Sequence, residues 1–91
     1  MYDIEFSRKF KKDLSKLQSD KRFKISELEK VLKILNTNET IPIKYKNHKL
    51  HGDMKNISDI HIQNDVIMLY EKDDVIRLIA LLRIGTHSEL F

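Results

Sequence analysis

The four histidines of the chain all lie in its second half, and they indicate proton-transfer chemistry. Histidine suits this role because its unperturbed pKa of about 6.5 leaves the neutral and protonated forms both populated near neutrality. The chain has no cysteine, so it offers no disulfide, no thiolate metal site and no cysteine nucleophile. Catalysis would therefore depend on histidine and carboxylate side chains. The histidines are His48, His51, His61 and His87.

Two of these histidines have charged neighbours at short spacing. Asp65 follows His61 across a two-residue turn signal, so a tight turn would place both side chains at one end of a hairpin. Arg83 precedes His87 by four positions, and Gly85 between them would let the chain turn back over the sheet edge. The spacing predicts that the side chains of each pair converge.

A set of His, Asp, Arg and Lys side chains suits cleavage of an RNA phosphodiester. The RNA 2′-hydroxyl is an internal nucleophile, so the protein needs only a base, an acid for the 5′-oxygen and cations for the developing charge. This reaction requires no metal. Two histidines can divide the proton transfers, Arg83 matches phosphate oxygens, and Asp65 orients a histidine or pairs with a cation. His48 and Lys49 would arrive from an extended arm.

Each of these residues also has a structural interpretation. His51 is interpreted as a surface histidine, Asp65 as an ordinary turn residue, and Arg83 as a charge that ends its strand in water. A metal site at His48-x-x-His51 is a further alternative, but alternation along an extended arm directs the two rings to opposite sides. Aromatic candidates for stacking on bases are Tyr45, Tyr70 and Phe91, although its strand spacing favours a core position for Tyr70.

The elements that must position these residues follow from the hydrophobic periodicity. Residues 2–6 alternate like a half-buried strand, and Ser7 is a suitable N-cap for a helix with apolar residues at Phe10, Leu14 and Leu17. A second amphipathic helix runs from about Phe23 to the Asn-rich stop at 36–38. The two helices are predicted to form an antiparallel hairpin.

The second half of the chain is predicted to be extended. Pro42 blocks a helix, and residues 45–50 form the arm that carries His48. Three strands then follow at 57–62, 66–70 and 75–82, with turns at Gln63-Asn64 and Lys72-Asp73-Asp74. The order predicts an α+β fold, in which the helical hairpin packs on one face of a mainly antiparallel twisted sheet. The other sheet face is left partly free.

Composition limits the classes of function. Ninety-one residues are expected to form one domain, residues 1–91, too small for a deep internal pocket. No apolar run approaches the roughly 20 residues that span a bilayer, and the N-terminal residues lack a signal-peptide pattern. A cytoplasmic protein without a membrane partner is expected. The charge is mildly basic, with 17 Lys and Arg against 14 Asp and Glu, and lysines cluster around two histidines at Lys44, Lys46, Lys49 and Lys55. This cluster is either a solvated face or a nucleic-acid contact.

Three motifs resemble the YafQ group of the RelE/ParE toxin superfamily. They are HKLHG at residues 48–52, DIHIQND at 59–65 and RIGTHSELF at 83–91. Their order and spacing resemble the group over essentially the whole chain. The resemblance implies a RelE-like, microbial-RNase-like α+β fold. It also implies the toxin of a type II toxin–antitoxin system: a ribosome-dependent mRNA endoribonuclease that cuts translated messages in the ribosomal A site without a metal or other cofactor.

The resemblance also implies site residues and partners. His87 is expected to be the general acid and His48 or His61 the base, and the order of the two remains open. The expected partners are a cognate antitoxin, mRNA in the ribosome, ribosomal RNA, and operator DNA bound through the antitoxin. By motif, the catalytic set is His48, His61, Asp65, Arg83 and His87, and the substrate-binding residues are Lys46, Lys49 and Phe91.

The chain departs from the group at two positions. Val66 stands where many members carry an aromatic residue, and Met54 stands where the arm often has a tryptophan. This departure leaves base stacking and sequence preference open. Two other functions are alternatives: a ParE-like toxin that inhibits DNA gyrase without nuclease activity, and a nucleic-acid-binding module without activity. The histidine set argues against the first, and the second would show steep salt dependence and no cleavage products.

Overall fold

The computed structural model describes residues 1–52 and 56–91. It shows a mixed α+β fold, as the sequence predicted. Two residues named above, Met54 and Lys55, lie outside the described part. The elements in chain order are β1 (Asp3–Phe6), α1 (Arg8–Gln18), α2 (Ile25–Asn36), a 3₁₀ turn (Ile43–Tyr45), β2 (His48–Lys49), β3 (Ser58–Gln63), β4 (Val66–Asp73), β5 (Leu78–Gly85) and α3 (His87–Leu90).

The five strands form one sheet in the order β1-β5-β4-β3-β2. The last four strands of the chain are antiparallel neighbours, because each follows the previous one through a loop or tight turn. The first strand, β1, pairs with β5 in parallel. The predicted mainly antiparallel sheet is therefore confirmed.

The main core lies between the sheet and the two long helices. Phe10 of α1 and Val31 of α2 are fully buried with Met68 and Ile79 of the sheet. Helix α1 lies against β5, and α2 lies against β3. The mutual packing of the two helices as an antiparallel hairpin stays a prediction. In the described ranges, no helix has the length and apolar character needed to span a bilayer.

Helix α1 also covers an open edge of β5. Strand β1 ends at Phe6 opposite Leu81, so the rest of β5 has no strand on that side. The backbone N–H of Ser7 donates to the Leu81 carbonyl at 3.1 Å, and the Ser7 hydroxyl donates to the Leu82 carbonyl at 3.0 Å. The Ser7 side chain also accepts from the Phe10 N–H, which confirms the predicted N-cap. This edge is therefore protected from pairing with another strand.

The predicted turn between the last two strands was misplaced. Strand β4 continues to Asp73 and β5 begins only at Leu78, so the predicted strand start at residue 75 is wrong. The Asp73 carboxylate accepts from the backbone N–H groups of Val75 and Ile76 and closes the turn. Both apolar side chains point into solvent, and Val75 is 91% exposed. Local side chain–backbone bonding outweighed the apolar pattern.

The arm before β2 is only partly extended. Residues Ile43–Tyr45 form a 3₁₀ turn directly after Pro42, whose fixed φ starts it. Lys46 then adopts a left-handed conformation with φ 46°, and only His48 and Lys49 pair with β3. Tyr45 is buried in the core, so this candidate for stacking on RNA bases presents little ring surface to solvent.

Candidate active site

The sheet face opposite the main core carries most of the predicted catalytic residues. His48, Asp59, Leu69 and Arg83 lie opposite one another in register across four strands. Directly opposed residues share a face, so these four form one row, which we call the histidine row. The adjacent row contains His61, Ile67 and Gly85. Leu69 and Ile67 are each only 3% exposed and give this face, the histidine face, an apolar floor.

His48 has a carboxylate partner that sequence reasoning did not assign. Its Nδ1 atom lies 3.4 Å from Oδ1 of Asp59, an ion-pair distance rather than a hydrogen bond. Asp59 Oδ1 is buried and has no hydrogen-bond partner in the described part of the chain. A buried carboxylate oxygen without a donor is costly, so Asp59 favours an imidazole N–H pointing at it. This arrangement leaves Nε2 of His48 facing solvent.

Asn47 fixes the arm that carries His48. Its Nδ2 donates to the backbone carbonyl of Asp59 at 2.8 Å and to the hydroxyl of Tyr70 at 2.9 Å. Tyr70 is buried in the core, as its spacing predicted, and burial raises its pKa. The arm is therefore attached to a rigid part of the molecule, because both acceptors belong to the sheet.

His61 and Asp65 lie at the same end of the β3–β4 hairpin, as predicted. Together with Lys46 they line a shallow cavity of about 350 Å³. Asp65 occupies the turn with φ 62°, a conformation that aspartate tolerates better than most residues. Gln63 holds this hairpin end against the loop between α1 and α2, since its side chain bonds the Arg22 carbonyl and the Lys24 N–H. Asp65 thus has a structural role in the turn as well as a place beside His61.

Arg83 is not a free cation at the end of its strand. Its Nε and Nη2 donate to the two carboxylate oxygens of Asp13 at 2.7 and 3.1 Å. Asp13 also accepts from the backbone N–H of Ile84 at 3.1 Å. Hydrogen bonding to Asp13 raises the pKa of Arg83. The guanidinium has five N–H donors, so three remain, including the fork formed by Nη1 and Nη2.

The sequence predicts that the chain turns back at Gly85, but the structure gives this glycine a different role. Gly85 belongs to β5, and its φ is not in the left-handed region, so the chain does not reverse there. A Cβ at this position would lie 3.2 Å from Oε1 of Glu89. A side chain at this position would press on the Glu89 side chain that caps α3, because the first turn of α3 approaches the strand closely. The chain changes direction at Thr86, the N-cap of α3.

His87 lies on this short helix rather than on an unstructured tail. Thr86 and Glu89 form a capping box, and Lys16 of α1 donates to Oε2 of Glu89 at 2.9 Å. The Phe91 ring packs against the His87 ring with centroids 5.0 Å apart. Phe91 therefore has a contact that orients His87, in addition to the predicted contact with a nucleotide.

The two predicted substrate-binding lysines differ in position. Lys46 lines cavities beside both His48 and His61. Lys49 pairs with Ser58, which itself pairs with the core residue Tyr70, so Lys49 lies on the opposite face of β2 from His48. The structure does not bring Lys49 to the histidine face.

Three carboxylates of the site were missed by sequence reasoning. Asp13 and Glu89 hold Arg83 and α3 through contacts with partners 70 and 73 residues away, which no local pattern reveals. Asp59 could have been found, because it stands two residues before His61 and therefore shares its strand face.

Comparison with known proteins identifies the family. A model of the YafQ toxin family, described as a bacterial toxin of a type II toxin–antitoxin system, matches residues 2–91. The mRNA interferase toxin YafQ of Escherichia coli K12 is 38% identical over 91 residues, which cover 98% of this chain and 95% of the relative.

Solved structures show the same similarity. A metal-bound toxin from Helicobacter pylori has a TM-score of 0.91 at 37% identity and covers 100% of both chains. The E. coli DinJ–YafQ complex has a TM-score of 0.85 at 34% identity, covering 100% of this chain and 99% of that chain.

One of these relatives binds a metal, so the ligand groups of this chain matter. Within residues 1–52 and 56–91, no three His, Cys, Asp or Glu side chains are close enough to hold a metal ion. His48 and Asp59 lie close together and provide two ligands at most. The fold and the full-length matches confirm the resemblance of the three motifs. The chain belongs to the YafQ family of bacterial type II toxin–antitoxin toxins.

Proposed function

We propose that this chain is the toxin of a type II toxin–antitoxin system and an endoribonuclease that cleaves mRNA on the ribosome. The observation that carries the proposal is the histidine row, with His48 beside Asp59 and Arg83 on the face that also bears His61. Relatives named as mRNA interferase toxins support this class of reaction. Residues 2–91, which match the family, are taken as one toxin domain.

The chemistry requires groups of this face, together with His87 of α3, which follows β5 directly. A base removes the proton from the RNA 2′-hydroxyl, and O2′ attacks the adjacent phosphorus. The P–O5′ bond breaks as an acid gives a proton to O5′, which leaves a 2′,3′-cyclic phosphate and a 5′-hydroxyl. Cations stabilise the charge that develops on the non-bridging phosphate oxygens.

The contacts of each side chain support its role. His48 is the base, because Asp59 orders its Nδ1 side and leaves Nε2 free to accept a proton. His87 is the acid, held by α3 at the end of β5. Arg83 presents its remaining Nη1–Nη2 fork to the phosphate, and Asp13 fixes the plane of the guanidinium. Lys46 adds a second positive charge beside both strand histidines.

Translated messages are the expected substrate. The cavities beside His48 and His61 are shallow and open, so the protein alone orders little of an RNA strand. The ribosome would hold the message in the required geometry and supply this missing ordering. Cleavage of free RNA should therefore be weak.

The test of the proposal is cleavage in a reconstituted translation reaction. Cut sites are mapped by primer extension on a translated message and on the same RNA without ribosomes. Codon-phased cuts that require translation are expected. Equal rates on both RNAs would remove the ribosome from the proposal. A protein that cuts neither RNA but inhibits gyrase on supercoiled plasmid would establish the ParE-like alternative instead.

Replacing Asp59 by asparagine should lower the cleavage rate by about 10- to 100-fold, because the neutral amide no longer stabilises a protonated His48 and can turn its NH2 group towards Nδ1, which favours the wrong tautomer. The effect should appear in kcat, with little change in KM, because Asp59 does not touch the RNA. The measurement is the single-turnover rate as a function of pH. Asp59→Glu should restore part of the rate. Asp3→Asn, an exposed carboxylate on β1, is the matched control and should behave as wild type. An equal loss in both asparagine variants would contradict the role of Asp59.

Glu89 should stabilise the protein in a defined pH range. The Thr86 backbone N–H, Lys16 and the Thr86 hydroxyl lower the pKa of Glu89 from 4.5 to about 2. A carboxyl whose pKa is lower in the folded state stabilises it above the unfolded pKa and loses this effect as the pH falls. The stability difference between wild type and Glu89→Gln should be constant above pH 4.5 and shrink towards pH 2. Urea denaturation at several pH values measures it. A constant difference down to pH 2 would contradict this assignment.

A cognate antitoxin is the proposed protein partner. The relative from E. coli was crystallised as the DinJ–YafQ toxin–antitoxin complex. We expect an acidic antitoxin segment to cover the basic part of the histidine face and to mask His61 and His87. Modification by diethyl pyrocarbonate should therefore slow at both histidines in the complex. Unchanged reactivity of both would count against this placement.

A further inference from the structure

The 3₁₀ turn beside the histidine row displays an unusually exposed apolar side chain. Ile43 is 94% exposed, although the turn that carries it is firmly held. Tyr45 is buried, and Ile41 packs against the core. The N–H of Lys46 donates to the Ile43 carbonyl at 2.9 Å and closes the turn. Ile43 is therefore held in solvent by ordered structure on both sides.

An open cavity of about 340 Å³ lies between the turn and His48. It is lined by Ile41, Pro42, Ile43, Lys46, Asn47 and His48. One side of the cavity is apolar, and the other side carries a cation, an amide and an imidazole. This volume is at the lower end of the range of about 300 to 1,000 Å³ found for small-ligand sites. The mixture suits a nucleotide, whose base has an apolar face and whose phosphate is an anion.

The charges agree with this occupant. No ion pair within the described ranges involves Lys46, and Lys46 lines the same cavity as Ile43 and His48. The ammonium of Lys44 lies 5.1 Å from the centroid of the Tyr45 ring, at the same turn. A phosphate group near His48 would therefore meet positive charge on the side of the turn.

The β3–β4 turn offers no apolar surface for a base directly after Asp65. Val66, directly after Asp65, is 6% exposed and belongs to the main core cluster. It does not present a surface to a base. Among the residues that line the cavities beside His48 and His61, only those of the 3₁₀ turn offer an exposed apolar surface next to His48.

We propose that Ile43, with Pro42 and Lys46, forms a subsite for the nucleotide that adjoins the scissile phosphate, with the base against Ile43 and the phosphate near Lys46. This inference rests on the ribonuclease proposal and names a part of its substrate contact. The apolar contact with Ile43 does not distinguish purines from pyrimidines. The subsite therefore contributes affinity and position rather than sequence recognition.

A titration that does not depend on activity tests the subsite. The probe is the dinucleotide deoxyadenylyl-deoxyadenosine, which lacks the 2′-hydroxyl and is not cleaved. Isoleucine δ1-methyl signals are recorded by NMR, and Ile76 in the distant β4–β5 turn serves as internal reference. A ring-current shift at Ile43, together with shifts at His48 and none at Ile76, is expected. Saturating shifts at His48 without a change at Ile43 would overturn the proposal.

A matched pair of variants then measures the effect on cleavage. Ile43→Asn and Ile76→Asn both change exposed side chains, so both should fold normally. Ile43→Asn should lower kcat/KM for the translated message by about 5- to 30-fold, and Ile76→Asn should not. Wild-type rates in Ile43→Asn, or weakened antitoxin binding with unchanged cleavage, would overturn the subsite. If the wild type itself does not cleave, the ribonuclease proposal fails, and the dinucleotide titration still decides whether the subsite exists.

Discussion

Replacing His87 by alanine is expected to lower the rate of message cleavage by about 10²- to 10⁴-fold, the usual contribution of one general acid or base. O5′ is a poor leaving group unless it receives a proton as the P–O5′ bond breaks. His87 lies directly beyond β5, two residues after Gly85, and α3 and Phe91 hold its ring. The measurement is the single-turnover rate on a translated message, with cut sites mapped by primer extension.

His51→Ala is the matched control for this prediction. His51 is exposed and lies outside the paired residues of β2, so its loss should leave the rate unchanged. The capping box of Thr86 and Glu89 uses no atom of the His87 side chain, so α3 should persist in the alanine variant. Cleavage at wild-type rate by His87→Ala would remove this histidine from the reaction. Equal losses in the two variants would indicate a general effect of histidine removal.

A substrate with a better leaving group distinguishes proton donation by His87 from binding or orientation of the RNA by the same residue. An analogue of the translated message with sulfur in place of O5′ at the mapped cut site needs no proton at that position, because a thiolate is a good leaving group. His87→Ala should therefore regain most of its lost rate on this analogue. A defect of the same size on both substrates would show that His87 binds or orients RNA instead of donating a proton.

Local sequence patterns predicted the elements well where the elements depend on neighbouring residues. The N-cap at Ser7, the stop of α2 at Asn36 and the hairpin between His61 and Asp65 all depend on residues a few positions apart. The β4–β5 turn was misplaced because apolar Val75 and Ile76 suggested a strand. There the Asp73 carboxylate and the left-handed Arg77 determine the turn.

The arrangement of the site depends on contacts that sequence periodicity does not contain. The motifs placed Arg83 and His87 in the site, but the structure attaches both segments to α1. Asp13 and Lys16, one turn apart on that helix, bind Arg83 and Glu89 respectively. A free guanidinium was therefore expected where a paired one is found. Predicting this pair needs the register of β5 against α1, which is a tertiary property.

The apolar floor of the histidine face allows charged side chains to interact strongly on an open surface. Its apolar floor, Ile67 and Leu69, is covered by the side chains around it, although the main core lies on the other side of the sheet. Charges above an apolar floor interact more strongly than charges surrounded by water. The row can therefore bias a proton transfer without the deep pocket that a chain of this size lacks room to form.

The identity of the base can be settled by comparing two histidine variants. His48→Ala should lower the cleavage rate by about 10²- to 10⁴-fold, whereas His61→Ala should lower it less, by about 10-fold. The reason is the partner at Nδ1. Asp59 lies 3.4 Å from His48 and orders the ring for proton acceptance at Nε2, while no ion pair in the described ranges involves His61.

A double-mutant cycle with Asp59 makes this comparison decisive. If Asp59 acts through His48, the Asp59→Asn change should cost little once His48 is already alanine, because its partner is gone. In the His61→Ala background, the same change should keep its full effect of about 10- to 100-fold. A larger loss at His61 than at His48, with Asp59 coupled to neither, would assign the base to His61. Asp59 would then act only in folding of the β2–β3 pair.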